Sequence, residues 1–251
     1  MNAYALDFDG VLCDSAGETG ATGWRAAALI WPGEFPEPPP ADYLARFARV
    51  RPVLETGFES ILIARLLADG VSEAELLARF PALAAPLLAR PECARATLIA
   101  RFGGVRDTWI RTRFADWLAL HRFYPGTVAT VQRWQAAGAP VYILTTKERR
   151  FALALLEHAG LAVPAERVFG LEAGSKVALL RALGRRPELA GATWHFVEDR
   201  LKTLAEVAAA PDLTGVRRYL ATWGYCTTAE QATAAATPGV RCLDLAAFAA
   251  L

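Results

Sequence analysis

From residue 124 to the C-terminus, short apolar runs alternate with stretches of helical spacing, and that alternation limits the available folds more than any other feature of the chain. Helices are expected over 127–137, 149–158, 176–183, 201–209 and 229–235, the first three closed by Gly138, Gly160 and Gly184. Strands are expected over 141–144, 167–169, 193–197, 216–221 and 240–243. Repeated strand–helix units bury both faces of a parallel sheet, so the pattern predicts an α/β, doubly wound core. A further apolar run at Tyr4-Ala5-Leu6 predicts a strand over 4–8 that joins the same sheet.

The residues between that strand and the alternating region carry no strand pattern. Small residues and glycines over 15–31 predict a loop and then an irregular helix around 24–30. Five prolines within 31–40 exclude a helix interior or a central strand there. A short helix is expected over 41–50, and Pro52 suits the start of another that Gly70 ends. Ser72 and Glu75 form a capping-box pattern. Pro81, Pro86 and Pro91 punctuate the segments that follow, Gly103-Gly104 breaks the chain, and a long amphipathic helix is expected over 105–121. Four or five helices without a strand predict a separate helical module, residues 16–121, inserted into a core of residues 1–15 and 122–251.

Composition narrows the function classes. At 251 residues the chain suits one large or two small domains, and 54% hydrophobic with 21% charged residues is a globular balance. A net charge of +1 gives no basis for binding nucleic acid or an anionic membrane. No apolar run approaches a membrane span, and the N-terminus lacks the features of a signal peptide, so a cytoplasmic protein is expected. Cys13, Cys93, Cys226 and Cys242 are widely spaced and read as free thiols. Of 27 basic residues only Lys147, Lys176 and Lys202 are lysines. An Arg-biased chain that keeps a Lys has use for a compact ammonium at that place.

In an open α/β sheet, ligands bind beyond the carboxyl ends of the strands. The first strand ends in Asp7 and Asp9, which share a face at spacing two, followed by Gly10. Two carboxylates held together repel, and a cation such as Mg²⁺, which prefers oxygen ligands, offsets that repulsion; the plainer alternative is a surface loop. The 141–144 strand ends in Thr145-Thr146-Lys147, whose hydroxyl could meet a phosphoryl oxygen or cap a helix. Lys176 opens a helix after Gly174-Ser175, as an anion contact or as a solvated first-turn lysine. Glu198 and Asp199 end the 193–197 strand, where Asp199 could equally cap the next helix.

Taken in order, Asp7/Asp9, Thr145, Lys176 and Glu198/Asp199 resemble the four motifs of the haloacid dehalogenase-like (HAD) superfamily. The likeness spans the core, implies a Rossmann-like HAD fold, and makes the inserted helices similar to a C1-type cap domain that closes as a lid. Tyr124-Pro125-Gly126, Thr145-Thr146-Lys147 and Trp223-Gly224-Tyr225 further resemble the phosphoglycolate phosphatase-like branch. The chain departs from the usual motifs at Thr146, Val177 and Thr203, and in carrying Glu198 before Asp199. Asp9, two residues after Asp7, is similar to the phosphatases and phosphomutases rather than the dehalogenases. The resemblance implies a Mg²⁺-dependent phosphatase that hydrolyses a small phosphomonoester metabolite. Asp7 is then the nucleophile that forms an aspartyl-phosphate, and Asp9 the general acid and base. Phe8, Asp9, Gly10, Thr145, Thr146 and Lys176 hold the phosphoryl group, while Asp7, Asp9, Glu198 and Asp199 hold the metal. A phosphomutase shares these residues; a non-catalytic phosphate-binding protein is the remaining alternative. Arg49, Arg51, Arg106 and Arg111 are candidate anion contacts in the cap. His121, His158 and His195 are assigned no chemistry.

Overall fold

The chain forms eight strands: β1 (Asn2–Leu6), β2 (Cys13–Asp14), β3 (Arg122–Phe123), β4 (Val141–Leu144), β5 (Val168–Phe169), β6 (Thr193–Glu198), β7 (Arg217–Ala221) and β8 (Val240–Leu243). The computed structural model describes all residues, 1–251. Six strands make one sheet in the order β5-β4-β1-β6-β7-β8, and β2 and β3 pair separately. Every pairing in the large sheet is parallel. Strand β1 therefore lies between β4 and β6, in register Leu6 to Ile143 on one side and Leu6 to Val197 on the other. The sheet is filled outward from β1 in both directions, so the C-terminal ends of β4, β1 and β6 sit side by side where the winding reverses.

Contact between residues divides the chain into two compact units, residues 1–14 with 123–251, and residues 15–122. In the first unit both faces of β1 are covered, which explains its unbroken apolar run. Ala3 and Ala5 share an apolar cluster with Leu179, Leu180 and Leu183 of α9 (Lys176–Gly184) and with Leu204 and Val207 of α10 (Leu201–Ala208). Tyr4, on the opposite face, stacks on Trp134 of α7 (Thr127–Ala136) with ring centroids 3.8 Å apart. Trp134 in turn meets Phe248 of α12 (Leu245–Ala249). Helices α8 (Arg149–His158) and α11 (Thr228–Ala236) complete the alternation. No helix is long and apolar enough to cross a membrane.

The second unit holds α1 (Ala16–Ile30), α2 (Tyr43–Val50), α3 (Glu59–Ala68), α4 (Glu73–Leu88), α5 (Arg95–Thr112) and α6 (Phe114–Leu118), six helices where four or five are expected from sequence. The expected loop before residue 24 is helical from Ala16 on. Gly20 and Gly23 fall on one stripe of α1, and a Cβ there would lie 2.8 Å from Phe47 and 2.5 Å from Ser60 Oγ, so the glycines permit close helix packing rather than a break. The expected break at Gly103-Gly104 is also absent, because α5 runs through both. Pro81 and Pro86 lie inside α4, whose irregularity is confined to Arg79 (φ −148°). The segment after Pro52 is a 3₁₀ turn (Arg51–Val53), with α3 beginning only at Glu59. Ser72 and Glu75 do form the expected capping box.

The cap arginines are mostly committed within their own unit. Arg49 pairs with Glu73, and Arg106 makes a buried bidentate pair with Glu18 at 2.9 and 2.8 Å. Arg51 donates to Leu54 O at 3.2 Å, and Arg111 is exposed. Arg49 and Arg106 are thus each paired with a carboxylate of the same unit.

Candidate active site

Strand β1 ends at Leu6, so Asp7 and Asp9 lie beyond it rather than within it. Asp7 still follows the ladder, since its N–H donates to Val197 O at 3.0 Å. The chain then turns sharply: Leu12 N and Cys13 N both donate to Phe8 O, and Gly10 N donates to Cys13 O at 2.9 Å. Gly10 takes φ +86°, and a Cβ on it would sit 2.0 Å from Asp199 Oδ2. Gly224 approaches from the far side, where a Cβ would lie 2.3 Å from Gly10 O and 2.5 Å from Asp199 Cβ. Two glycines thus let three loops close on one another, at a place no side chain could share.

Lys176 is carried in by the start of α9, after Ser175 caps that helix through Ala178 N. Its Nζ reaches Asp7 Oδ2 at 2.8 Å and Glu198 Oε2 at 2.6 Å. Glu198 also accepts from Arg200 N through Oε1 at 3.1 Å, so both its oxygens are engaged. Asp199 is 1% exposed and accepts from Tyr225 N through Oδ2 at 2.8 Å. It is not a helix cap, since the residue before α10 is Arg200. Thr145 does not cap α8 either: its Oγ1 accepts from Lys147 N at 3.0 Å. With that lone pair occupied, the Thr145 hydroxyl hydrogen is turned elsewhere and is available to donate. Thr146 is exposed at the rim.

Two N–H groups expected to meet a phosphoryl group are already committed. Phe8 N donates to Asp7 Oδ1 at 2.7 Å, and Gly10 N donates within its own turn. The Gly10 donor is spent because the turn that brings the two aspartates together needs it.

Electrostatically the site is short of positive charge. Burial, and then the charge of Glu198, push the Asp7 carboxyl up to about 7. Burial acts to lower the Lys176 ammonium, but Asp7 and Glu198 outweigh it and hold that group above its ordinary value. Counted as ionised, four carboxylates (Asp7, Asp9, Glu198, Asp199) would face two ammonium groups (Lys147, Lys176), a formal excess of two negative charges that agrees with the upward shift of Asp7. Ligand oxygens of Asp7, Glu198 and Asp199 all lie within 4.8 Å of one another. An all-oxygen donor set with that charge excess suits a hard divalent cation. The cradle beside Asp199, closed to any Cβ at Gly10, is consistent with it.

Several contributors were not assigned a role from sequence. Lys147 is buried, and its Nζ stands 3.3 Å from Asp9 Oδ1; the scarcity of lysine and its place in the Thr145-Thr146-Lys147 segment are the signals that point to it. Trp223 Nε1 donates to Val11 O at 3.0 Å, and Tyr225 OH donates to Asp14 Oδ1 at 2.7 Å. The Trp223-Gly224-Tyr225 segment therefore braces both the Asp7–Gly10 turn and Asp199.

A protein-family model described as haloacid dehalogenase-like hydrolase matches residues 1–210. No curated protein matches the chain. Among solved structures, a predicted phosphoglycolate phosphatase from Haemophilus somnus 129PT superposes with a TM-score of 0.60 at 14% identity, covering 99% of this chain and 95% of that one. A haloacid dehalogenase-like family hydrolase from Streptococcus pneumoniae gives 0.59 at 15% identity, covering 96% and 93%. A HAD family hydrolase from Deinococcus radiodurans R1, with bound phosphate and sodium, gives 0.53 at 19% identity, covering 97% and 91%. At these identities the structural likeness is one of fold.

Proposed function

We propose, from the premise that this chain belongs to the haloacid dehalogenase-like hydrolases, that it is a phosphatase acting on a small phosphomonoester. The observation that carries this reading is the buried Asp7–Lys176–Glu198 bridge beside Asp199, with Asp9 two residues from Asp7. A carboxylate with a lysine on one oxygen, next to surplus negative charge, is suited to attack an electrophile that arrives with a divalent cation. It is poorly suited to bind a neutral substrate.

In this reading Asp7 attacks phosphorus, and the bond from phosphorus to the ester oxygen breaks. Asp9 gives its proton to the departing alkoxide, a contribution typically worth ~10²–10⁴-fold. The product is an aspartyl-phosphate on Asp7, which replaces one difficult displacement by two easier ones. Asp9, now a carboxylate, takes a proton from water as that water attacks the same phosphorus, releasing inorganic phosphate and restoring Asp7. Lys176 and the Thr145 hydroxyl hold the phosphoryl oxygens, with Thr146 at the rim. Phe8 N–H can join them by exchanging its present acceptor, Asp7 Oδ1. Mg²⁺ would be held by Asp7, the Asp9 carbonyl and Asp199, with Glu198 at its margin against Lys176. When bound it would supply charge neutralisation between carboxylate and phosphate and stabilise the charge that builds on the transferring group. The substrate is a small phosphorylated metabolite.

The test is Mg²⁺-dependent release of phosphate from an aryl phosphate, with Asp7→Asn as control. Asn fills the same space but is a poor nucleophile and a neutral ligand. Activity lost on chelation, restored by Mg²⁺ and abolished in folded Asp7→Asn is expected. A folded Asp7→Asn within tenfold of wild type would remove Asp7 as the nucleophile.

A further inference from the structure

We infer that Lys147 is a positioning residue for Asp9, fixing the carboxylate that trades protons with the leaving group. The inference rests on the reading of Asp9 as acid and base. Lys147 lies three residues past the end of β4, and its side chain is 3% exposed, although its neighbour Thr146 is exposed. Burying an ammonium is costly unless it is paired. Its Nζ is 3.3 Å from Asp9 Oδ1, whereas Lys176 bonds Asp7 and Glu198, and Asp199 accepts from Tyr225 N. The two buried lysines thus divide the labour, one on the Asp7–Glu198 pair and one on Asp9.

The backbone of Lys147 is fixed on both sides. Its N–H donates to Thr145 Oγ1 at 3.0 Å, and its C=O accepts from Leu171 N at 3.0 Å. The ammonium therefore has a rigid base, and the same residue orients the Thr145 hydroxyl. Asp9 sits on the turn that follows β1, with its Oδ1 toward the Lys147 ammonium. An ion pair that draws one oxygen toward the ammonium biases the direction in which the other meets a proton. A misplacement of about 1 Å in such a group can cost ~10²-fold.

The experiment compares Lys147→Met with wild type on an aryl phosphate, which leaves with little protonation, and on an alkyl phosphate, which needs the proton. Expected are a ~10–100-fold loss of kcat on the alkyl substrate, no more than about threefold on the aryl one, and an unchanged Mg²⁺ requirement. In an Asp9→Asn background, adding Lys147→Met should cost nothing further on the alkyl substrate, because the group it positions is gone. Equal losses on both substrates, an additive loss in the Asp9→Asn background, or a change confined to KM would each overturn the inference. If Asp9→Asn itself shows no leaving-group discrimination, the acid–base reading fails and takes this inference with it. If Asp9→Asn discriminates and Lys147→Met does not, the inference alone fails. Lys147→Gln is read by the same criteria, and failure of both variants to fold would make the lysine structural and overturn the proposal.

Discussion

A lysine between two carboxylates distinguishes this site from a chance cluster of acids. Lys176 Nζ sits 2.8 Å from Asp7 and 2.6 Å from Glu198. A compact ammonium serves both from one point, whereas a planar guanidinium presents its donors in a rigid fork. Lys176→Arg should therefore lower kcat by about two orders of magnitude or more while the protein stays folded, as steady-state kinetics and circular dichroism would report. Arg working as well as Lys would show that the bridge is structural. Gly10 makes a second requirement. Its φ is +86°, and a Cβ would meet Asp199 Oδ2 at 2.0 Å. Gly10→Ala is expected to weaken Mg²⁺ binding at least tenfold by displacing Asp199, in addition to ~1–2 kcal/mol of backbone cost. Isothermal titration with Mg²⁺ checks this; unchanged affinity would place the cation away from Asp199.

Among the elements, α1 and α5 both contain glycines, and the structure assigns them opposite meanings. A Cβ at Gly23 would lie 2.5 Å from Ser60 Oγ and 2.7 Å from the Ser60 carbonyl carbon, which is backbone and does not move cheaply. Gly103 has nothing within 4 Å. Gly23→Ala should destabilise by ~1–3 kcal/mol through overpacking, despite the better helix propensity of alanine. Gly103→Ala should stabilise by ~0.5–1 kcal/mol. Urea denaturation followed by helical signal would show the contrast, and a shift of the same sign for both would refute the packing account. These helices also mark where the sequence stops being readable. The α/β part is legible because a parallel sheet imposes contiguous apolar runs: the expected strand at 141–144 matches β4, and the expected helix at 149–158 matches α8. In α1 a glycine means close approach and in α5 it means nothing sterically, yet the letter is the same, so tertiary contact overrides propensity. The six strands of the sheet are legible in those apolar runs, and the family in the strand-end acids and the order of the motif residues. The commitment of Gly10 N–H to its own turn and of Glu198 to Lys176, and the partner of Lys147, depend on how loops close and leave no periodic signal.

At the scale of the whole molecule, every residue of the candidate site belongs to one unit. Asp7, Asp9, Thr145, Thr146, Lys147, Lys176, Glu198 and Asp199 all fall within residues 1–14 and 123–251. The helical unit, residues 15–122, has its own apolar cluster, running from Trp24 to Phe102. Each unit thus has what a domain needs to fold: a core, and few chain crossings. The crossings are at β2 and β3, which pair with each other, so the two cut ends are already adjacent. Replacing residues 16–120 by a short glycine-rich linker should therefore leave a folded α/β core. Loop closure over such a linker costs little, since the penalty grows only with the logarithm of length. In the reading proposed above, the shortened protein keeps Asp7, Asp9 and the lysines, so it should still release phosphate from an aryl phosphate with Mg²⁺ present. The measurement is thermal unfolding of the truncated chain alongside aryl phosphate turnover, with the Asp7→Asn version as blank. A cooperative transition with turnover above that blank is expected. An unfolded core would show that the sheet depends on the helical unit for stability. A folded core without activity would show that a group essential to the chemistry comes from residues 16–120.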